Sequence, residues 1–409
     1  MFKPSHHIIV GLELGTSKIC VVVGALSHEG VLNIIAVGQH KSRGVRKGEI
    51  VDHDLASEDV REALRQAEEM AELRIRSVYL GVTGAHIKGF TNRGRHHLPP
   101  PERQVTEADI EDVGHNACAL GLPAEREVLH VFRQHYVLDG RGGILNPIGL
   151  TGEVLELDVH VIHGHSERLK TPINLVRQAQ IDIEEVVFNG IGSSLAVLTP
   201  QQKDLGALVI DLGAGATEYV VYAGRVVRHS GVLAVGGDHV TNDLAYGLRL
   251  SQSHAEQLKV EHGAALMAPE VRGRTLALQA NGLESDTVSL ENLHRIMSLR
   301  LRETLDIIAE DVDRTGLLSF LRAGVVLCGG GARIPGICQL AQEVFGLPAT
   351  VATCRDLGGQ AASLDQPEFA TGIGLVRFGA TRVGQRRSAG LMARLASKVG
   401  GLLNKTAKP

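Results

Sequence analysis

Three glycine-rich segments set acids, hydroxyls and a lysine beside tight turns. The first reads Gly11-Leu-Glu13-Leu-Gly15-Thr16-Ser17-Lys18-Ile-Cys-Val-Val-Val23. The second reads Leu208-Val-Ile-Asp211-Leu-Gly213-Ala214-Gly215-Ala216-Thr217-Glu-Tyr-Val-Val221, the same order of strand, acid, glycine turn and strand. The third, Val325-Val-Leu-Cys-Gly329-Gly330-Gly331-Ala332-Arg-Ile-Pro335-Gly336, runs a strand into a glycine turn and then a helix. Backbone N–H groups in such turns, and at a helix N-terminus, form nests for phosphate oxygens. Glu13 and Asp211 suit a hydrated Mg²⁺, which takes few direct carboxylates. Together they predict a phosphate-binding cleft between two similar halves.

The elements that must position these turns alternate between strand and helix, which predicts an α/β fold. Ile8–Val10, Ile19–Val23 and Ile34–Val37 read as strands of an N-terminal meander. Residues 57–71 read as a helix with Val60, Ala63, Leu64, Ala67 and Ala71 on one face, and Ser77–Val82 as a buried strand. The next stretch differs. A proline run at 99–101 leads to a helix opened by Thr106 with Asp109 three residues on, a variant capping box. Val128–Leu138 and Val154–Ile162 follow as strands, so this region reads as an inserted small αβ subdomain. The long pattern Leu293, Ile296, Met297, Leu301, Leu305, Ile308, Val312 is that of a packing helix.

Composition excludes several classes. With 409 residues, 44% hydrophobic and 22% charged, the chain is neither disordered nor a small disulfide scaffold. The five cysteines, Cys20, Cys118, Cys328, Cys338 and Cys354, are scattered without a CxxC, which points to a reducing compartment. No stretch reaches the ~20 apolar residues of a membrane span, so the expectation is a protein neither secreted nor integral. A net charge of −4 argues against nucleic acid as a partner. His160, His163 and His165 lack a spacing with acids or cysteines suited to zinc, and no metal site is expected there.

The C-terminal end carries a second signal. From Thr381 onward there are seven cations and no acid. On a helical projection Leu391, Met392, Leu395, Val399, Leu402 and Leu403 share an arc of roughly 120°. Arg394, Lys398 and Lys405 gather on the opposite side. Gly390, Gly400 and Gly401 make a free helix marginal, so the pattern fits a helix that forms on an anionic lipid surface.

Two acid–glycine hairpins followed by Gly-Gly-Gly-Ala-x-x-Pro-Gly resemble the phosphate and adenosine segments of the actin/Hsp70/sugar-kinase superfamily. Within it the chain closely resembles the FtsA family of bacterial actin-like cell-division proteins. Ser42-Arg-Gly-Val-Arg-Lys-Gly-Glu-Ile-Val-Asp52, Ser77-Val-Tyr-Leu-Gly-Val-Thr-Gly-Ala-His86, Gly236-Gly-Asp-His-Val-Thr-Asn-Asp243, Ser253-His-Ala-Glu256-Gln-Leu-Lys259 and Ala370-Thr-Gly-Ile-Gly-Leu-Val376 carry the likeness, which spans about residues 8–380.

The resemblance implies a two-lobed actin-like fold with an inserted subdomain and a C-terminal amphipathic helix. Its first lobe would comprise 1–83, 162–195 and 370–380, its insertion 84–161, and its second lobe 196–369, with a distal part at 235–300. A linker at 381–390 and a membrane-targeting tail at 391–409 would complete it. It implies ATP and Mg²⁺ as cofactors. Gly15, Thr16, Ser17 and Lys18 would meet the β- and γ-phosphates from one side and Gly213, Ala214 and Gly215 from the other. Glu13 and Asp211 would organise Mg²⁺ through water, and Gly236 and Gly237 would line the cleft. Glu256 and Lys259 would face ribose and base, while Gly330, Gly331 and Ala332 would pack on the adenosine. It further implies polymerisation on the cytoplasmic face of the inner membrane at the septum. There the protein would tether the FtsZ ring and recruit later division proteins. A pilus-assembly ATPase of the PilM type or a superfamily small-molecule kinase are the alternatives, and neither needs the tail.

Three departures bear on chemistry. Glu13 stands where most of the superfamily has Asp, Ala214 adds a Cβ in the second turn, and Ala216 lacks a hydroxyl. A positive φ at Ala214 would cost about 1–2 kcal/mol, and Thr217 could replace the missing hydroxyl. ATP binding with slow or absent hydrolysis is the expectation, since hydrolysis needs a placed water and metal.

Overall fold

The computed structural model describes residues 7–100, 104–267, 269–277, 287–352, 354, 358–359 and 364–403, with the backbone alone for 358–359 and 387–403. The chain opens with a meander of β1 (His7–Leu14), β2 (Lys18–Leu26) and β3 (Leu32–Lys41), each longer than the apolar runs predict. A short hairpin follows, β4 (Val45–Arg46) and β5 (Glu49–Ile50). Helix α1 (His53–Ala71) is capped by Asp52, whose carboxylate accepts the Leu55 N–H at 3.0 Å. It packs its Val60–Ala63–Leu64–Ala67 face on β3. Strand β6 (Ser77–Val82) then pairs parallel to β1.

The inserted subdomain comprises β7 (Lys88–His97), α2 (Glu107–Cys118), β8 (Arg126–Leu138), β9 (Arg141–Ile144) and β10 (Val154–His165), in the sheet order β7-β10-β8-β9. Thr106 and Asp109 form the reciprocal cap expected of them. Val113, Leu138, Leu155, Leu157 and Val159 give the insert its own core.

The chain returns through α3 (Ser166–Gln178) to β11 (Asp182–Phe188) and α4 (Asn189–Val197). After α5 (Pro200–Leu205) the second lobe starts with β12 (Ala207–Leu212), β13 (Thr217–Ala223) and β14 (Val226–Leu233). Next come α6 (Gly237–Leu248), α7 (Gln252–His262), β15 (Thr275–Ala277), β16 (Thr287–Ser289) and α8 (Leu290–Arg314). Helix α8 buries Leu293, Met297, Leu301, Leu305, Ile308 and Val312, as its pattern predicts. β17 (Val325–Cys328), α9 (Ile337–Phe345) and β18 (Ala349–Val351) close the second sheet, in the order β14-β13-β12-β17-β18.

The last strand, β19 (Gly358–Gly359), crosses back to the first sheet, whose order is β11-β6-β1-β2-β3-β19. Each sheet repeats one device: β1 pairs antiparallel with β2 and parallel with β6, and β12 pairs antiparallel with β13 and parallel with β17. This is the actin-like two-lobed α/β architecture. Helix α10 (Ala370–Leu403) packs on α4 and β1. The segment 381–390, expected to be a linker, lies inside α10, held to β11 by Arg382–Glu185 and Arg386–Glu184 contacts at 2.5 and 3.7 Å. The side chains of Leu391, Met392, Arg394, Leu395, Lys398, Val399, Leu402 and Leu403, and all of Lys405, lie outside the described residues.

The insert touches both lobes. His130 Nε2 accepts the Phe188 N–H of lobe one at 3.0 Å. Gln134 donates to the Val227 carbonyl at 3.1 Å, and His160 Nε2 meets Ser230 Oγ at 2.8 Å, both on β14 of lobe two.

Candidate functional site

The β1–β2 and β12–β13 turns face each other across the gap between the lobes. A Cβ on Gly215 would sit 2.3 Å from Thr16 Oγ1 and 2.8 Å from the Lys47 backbone, so only glycine lets them come this close. Among the described residues, the N–H groups of Thr16, Ser17, Ala214 and Gly215 make no backbone hydrogen bond. Unbonded N–H groups in turns of this kind are the donors that suit an anion. Thr16 Oγ1 accepts the Gly48 N–H at 3.0 Å, which ties the first turn to the β4–β5 hairpin. Ser17 is exposed, and Lys18 Nζ lies 4.0 Å from the centre of the Phe369 ring. Gly15 and Gly213 make the tight bends, where a Cβ would meet the Lys18 and Ala216 carbonyls at 2.5 and 2.6 Å.

Two expectations about the second turn are corrected. Ala214 is absent from the positive-φ residues, so its methyl carries no left-handed strain. Thr217 does not offer its hydroxyl to the gap: it is fully buried and donates to the Val235 carbonyl at 2.8 Å. The carbonyls of Gly213 and Ala214 accept the Gly237 and Asp238 N–H groups at 3.0 and 2.8 Å, which locks the turn to the head of α6. Gly236 stands against those same carbonyls.

At the roots of the turns sit three acids. Glu13 and Asp211 are the penultimate residues of β1 and β12, and Glu218 faces Asp211 across the β12–β13 hairpin. Glu13 Oε2 is buried without a partner. Asp211 Oδ2 accepts from Thr371 Oγ1 at 2.9 Å, and Thr83 Oγ1 of lobe one donates to Glu218 Oε1. Burial pushes the Glu13 carboxyl up to about 7, against the pull of Lys18 and with a further push from Asp211. Burial, then the charge of Asp211, pushes Glu218 to about 8. Asp211 is raised too, by burial. Carboxylates crowded in this way are relieved by protons or by a bound cation. Glu218 was not singled out from the sequence; its position opposite Asp211 on a hairpin was the available signal.

The third segment borders the same gap. Gly330 has open space where a Cβ would stand, whereas Gly331 abuts Leu212. Ala332 is buried in the core of lobe two, so of these three positions Gly330 is the open one. Glu256 and Lys259 on α7 pair with each other at 2.6 Å. Lys259 Nζ also donates to the Gly237 carbonyl and Thr241 Oγ1 at 3.1 and 2.9 Å, bracing the start of α6. Thr83, Lys47 and Thr371 join the site from remote elements and were not legible as site residues.

The histidine cluster is structurally engaged. His160 meets Ser230, and His163 Nδ1 accepts from Arg126 at 2.5 Å across a bulge between Ile162 and His163. A cavity of about 290 Å³ adjoins the candidate site at the β4–β5 hairpin, lined by Val45, Glu49, Thr83, His86 and Arg168.

These residues fit a polyphosphate with a divalent cation: paired turns with free donors, an orphaned carboxylate oxygen and nearby lysines. Comparison with known proteins agrees with this architecture. The family model described as cell division protein FtsA matches residues 208–374, and the model of the SHS2 domain inserted in FtsA matches residues 84–163. The cell division protein FtsA of Escherichia coli (strain K12) is 34% identical over 380 residues, which cover 91% of this chain and 90% of the relative. Among solved structures, the PilM–PilN type IV pilus biogenesis complex superposes with a TM-score of 0.63 at 16% identity, covering 91% of this chain and 98% of that one. MreB 5 of Spiroplasma citri bound to AMPPNP gives 0.56 at 14% identity, covering 95% and 100%. Such low identities speak for the fold alone. The identity to the curated relative, over nine-tenths of both chains, shows more: this chain belongs to the FtsA family of cell division proteins.

Proposed function

We propose that the cleft binds ATP with Mg²⁺. The supporting observation is the contact of the two glycine turns at Gly215 and Thr16, above three buried acids. Turn N–H groups of Thr16, Ser17, Ala214 and Gly215 would receive the phosphate oxygens. Glu13 and Asp211, with Glu218 beside them, would hold the cation largely through water, and when bound the cation neutralises phosphate charge. Gly330 would leave room for the base and sugar. Ala214 and Ala216 bring neither a base nor a hydroxyl to orient water, so hydrolysis would be slow or absent.

The wider role follows from membership of the family. The protein would polymerise at the cytoplasmic face of the inner membrane, with residues 391–409 as the lipid-binding tail. It would hold the FtsZ ring there through the distal part of its second lobe, 235–300, and recruit later septal proteins. The experiment that tests the cleft is titration with a fluorescent ATP analogue. Gly330→Arg fills open space, so it should melt with the wild type and lose binding. Gly215→Val should lose binding as well, by prising the two turns apart. Wild-type affinity in both variants would place the nucleotide elsewhere.

A further inference from the structure

We propose that Lys47, at the tip of the β4–β5 hairpin, distinguishes a nucleoside triphosphate from a diphosphate by pairing with the terminal phosphate; this rests on the nucleotide reading of the cleft. The hairpin has a two-residue loop, Lys47-Gly48, between the pairs Val45↔Ile50 and Arg46↔Glu49. Both loop residues have positive φ, 52° and 77°. Such loops favour Asn, Asp or Gly at the first position, where a Cβ is costly. Lysine is a poor choice for the turn itself, which points to a use for its side chain.

The hairpin tip lies over both glycine turns. The Gly48 N–H is bonded to Thr16 Oγ1, and the Lys47 backbone lies against Gly215. Lys47 is exposed, and no carboxylate among the described residues lies within ion-pair distance of it. Its charge reaches the first turn of α6 instead. There, after burial, it helps hold the His239 imidazole below its usual pKa, with Arg300 adding to the effect. The Asp238 and Asp243 carboxylates act on His239 the other way, each more weakly, and an anion arriving at this helix N-terminus would meet the lysine there. The third phosphate is the group that a triphosphate adds in this gap. The diphosphate ends short of it.

The experiment measures ATP and ADP affinity, each with Mg²⁺, for the wild type, Lys47→Gln, Lys47→Arg and Lys47→Asn. Removing one charge-assisted contact should weaken ATP about tenfold or more, and ADP less than about twofold. Lys47→Arg should recover most of the ATP affinity. Lys47→Asn suits the left-handed backbone, so it should melt at or above the wild-type temperature while still losing the preference for ATP. Equal loss for both nucleotides, or none, overturns the assignment of Lys47. A wild type that binds neither nucleotide overturns the cleft reading itself, a different result.

Discussion

Burial holds the His130 imidazole near a pKa of about 4, and the Arg382 guanidinium pushes the same way. Its ring packs against Phe132 and Phe378, and its Nε2 serves the Phe188 N–H, so the neutral form is required. In the unfolded chain a histidine titrates near ~6.5. Between these values only the unfolded state takes up the proton, so stability falls as pH drops from 6.5 towards 4. His130→Gln keeps an acceptor without the titration. It should shrink the acid-dependent loss by about 2–3 kcal/mol, read from urea unfolding at pH 6.5 and 4.5. Parallel pH slopes for the two proteins would sink this account. The turn glycines, Glu13 and Asp211 stand out one by one in the sequence, and the structure brings their turns together. Glu218, Thr83, Thr371 and Lys47 do not stand out, because their contacts at the gap come from pairing between elements far apart in the chain. Thr217 shows the converse: a hydroxyl well placed in sequence is spent on the Val235 carbonyl.

Among the described glycines, the closest approach to another element is where α10 crosses α4. A Cβ on Gly374 would stand 1.7 Å from the Gly192 carbonyl, so the two backbones are in direct contact. Gly374→Ala must push the helices apart, and with them the packing of α10 on β1. The expected cost is about 2–4 kcal/mol, seen as a lowered melting temperature. A variant that melts with the wild type would show that the helices can separate freely. The meander β1–β3, α1, β6 and α8 were legible from periodicity, and the cap at Thr106 from its residues alone. The continuation of α10 through 381–390 was not. Arginines, a serine and glycines read locally as a break, at a propensity cost of about 1 kcal/mol per glycine. Contacts of Arg382 and Arg386 with Glu185 and Glu184 on β11 favour the helix there, and no local pattern announces them.

At the scale of the molecule, the proposed lipid contact makes a clear demand on the tail. Because α10 already runs as helix to Leu403, ordering offsets little of the partial burial of six apolar side chains, worth ~1.5–3 kcal/mol each if complete. Leu395→Glu should therefore release the protein from anionic vesicles at any salt concentration in a co-pelleting assay. Arg394→Ala with Lys398→Ala should weaken binding chiefly at low salt, since that attraction is screened over about 8–10 Å. Leu395→Glu pelleting like the wild type would end the tether reading. The insert has a consequence of another kind. It is covalently part of lobe one, yet Gln134 and His160 bond it to β14 of lobe two. Separating the lobes at this strap means first breaking buried hydrogen bonds. Were the proposed nucleotide to leave by parting of the lobes, that rupture, with the loss of the Thr83–Glu218 bond, would help set its residence time, making Gln134, His160 and Ser230 matter at a distance.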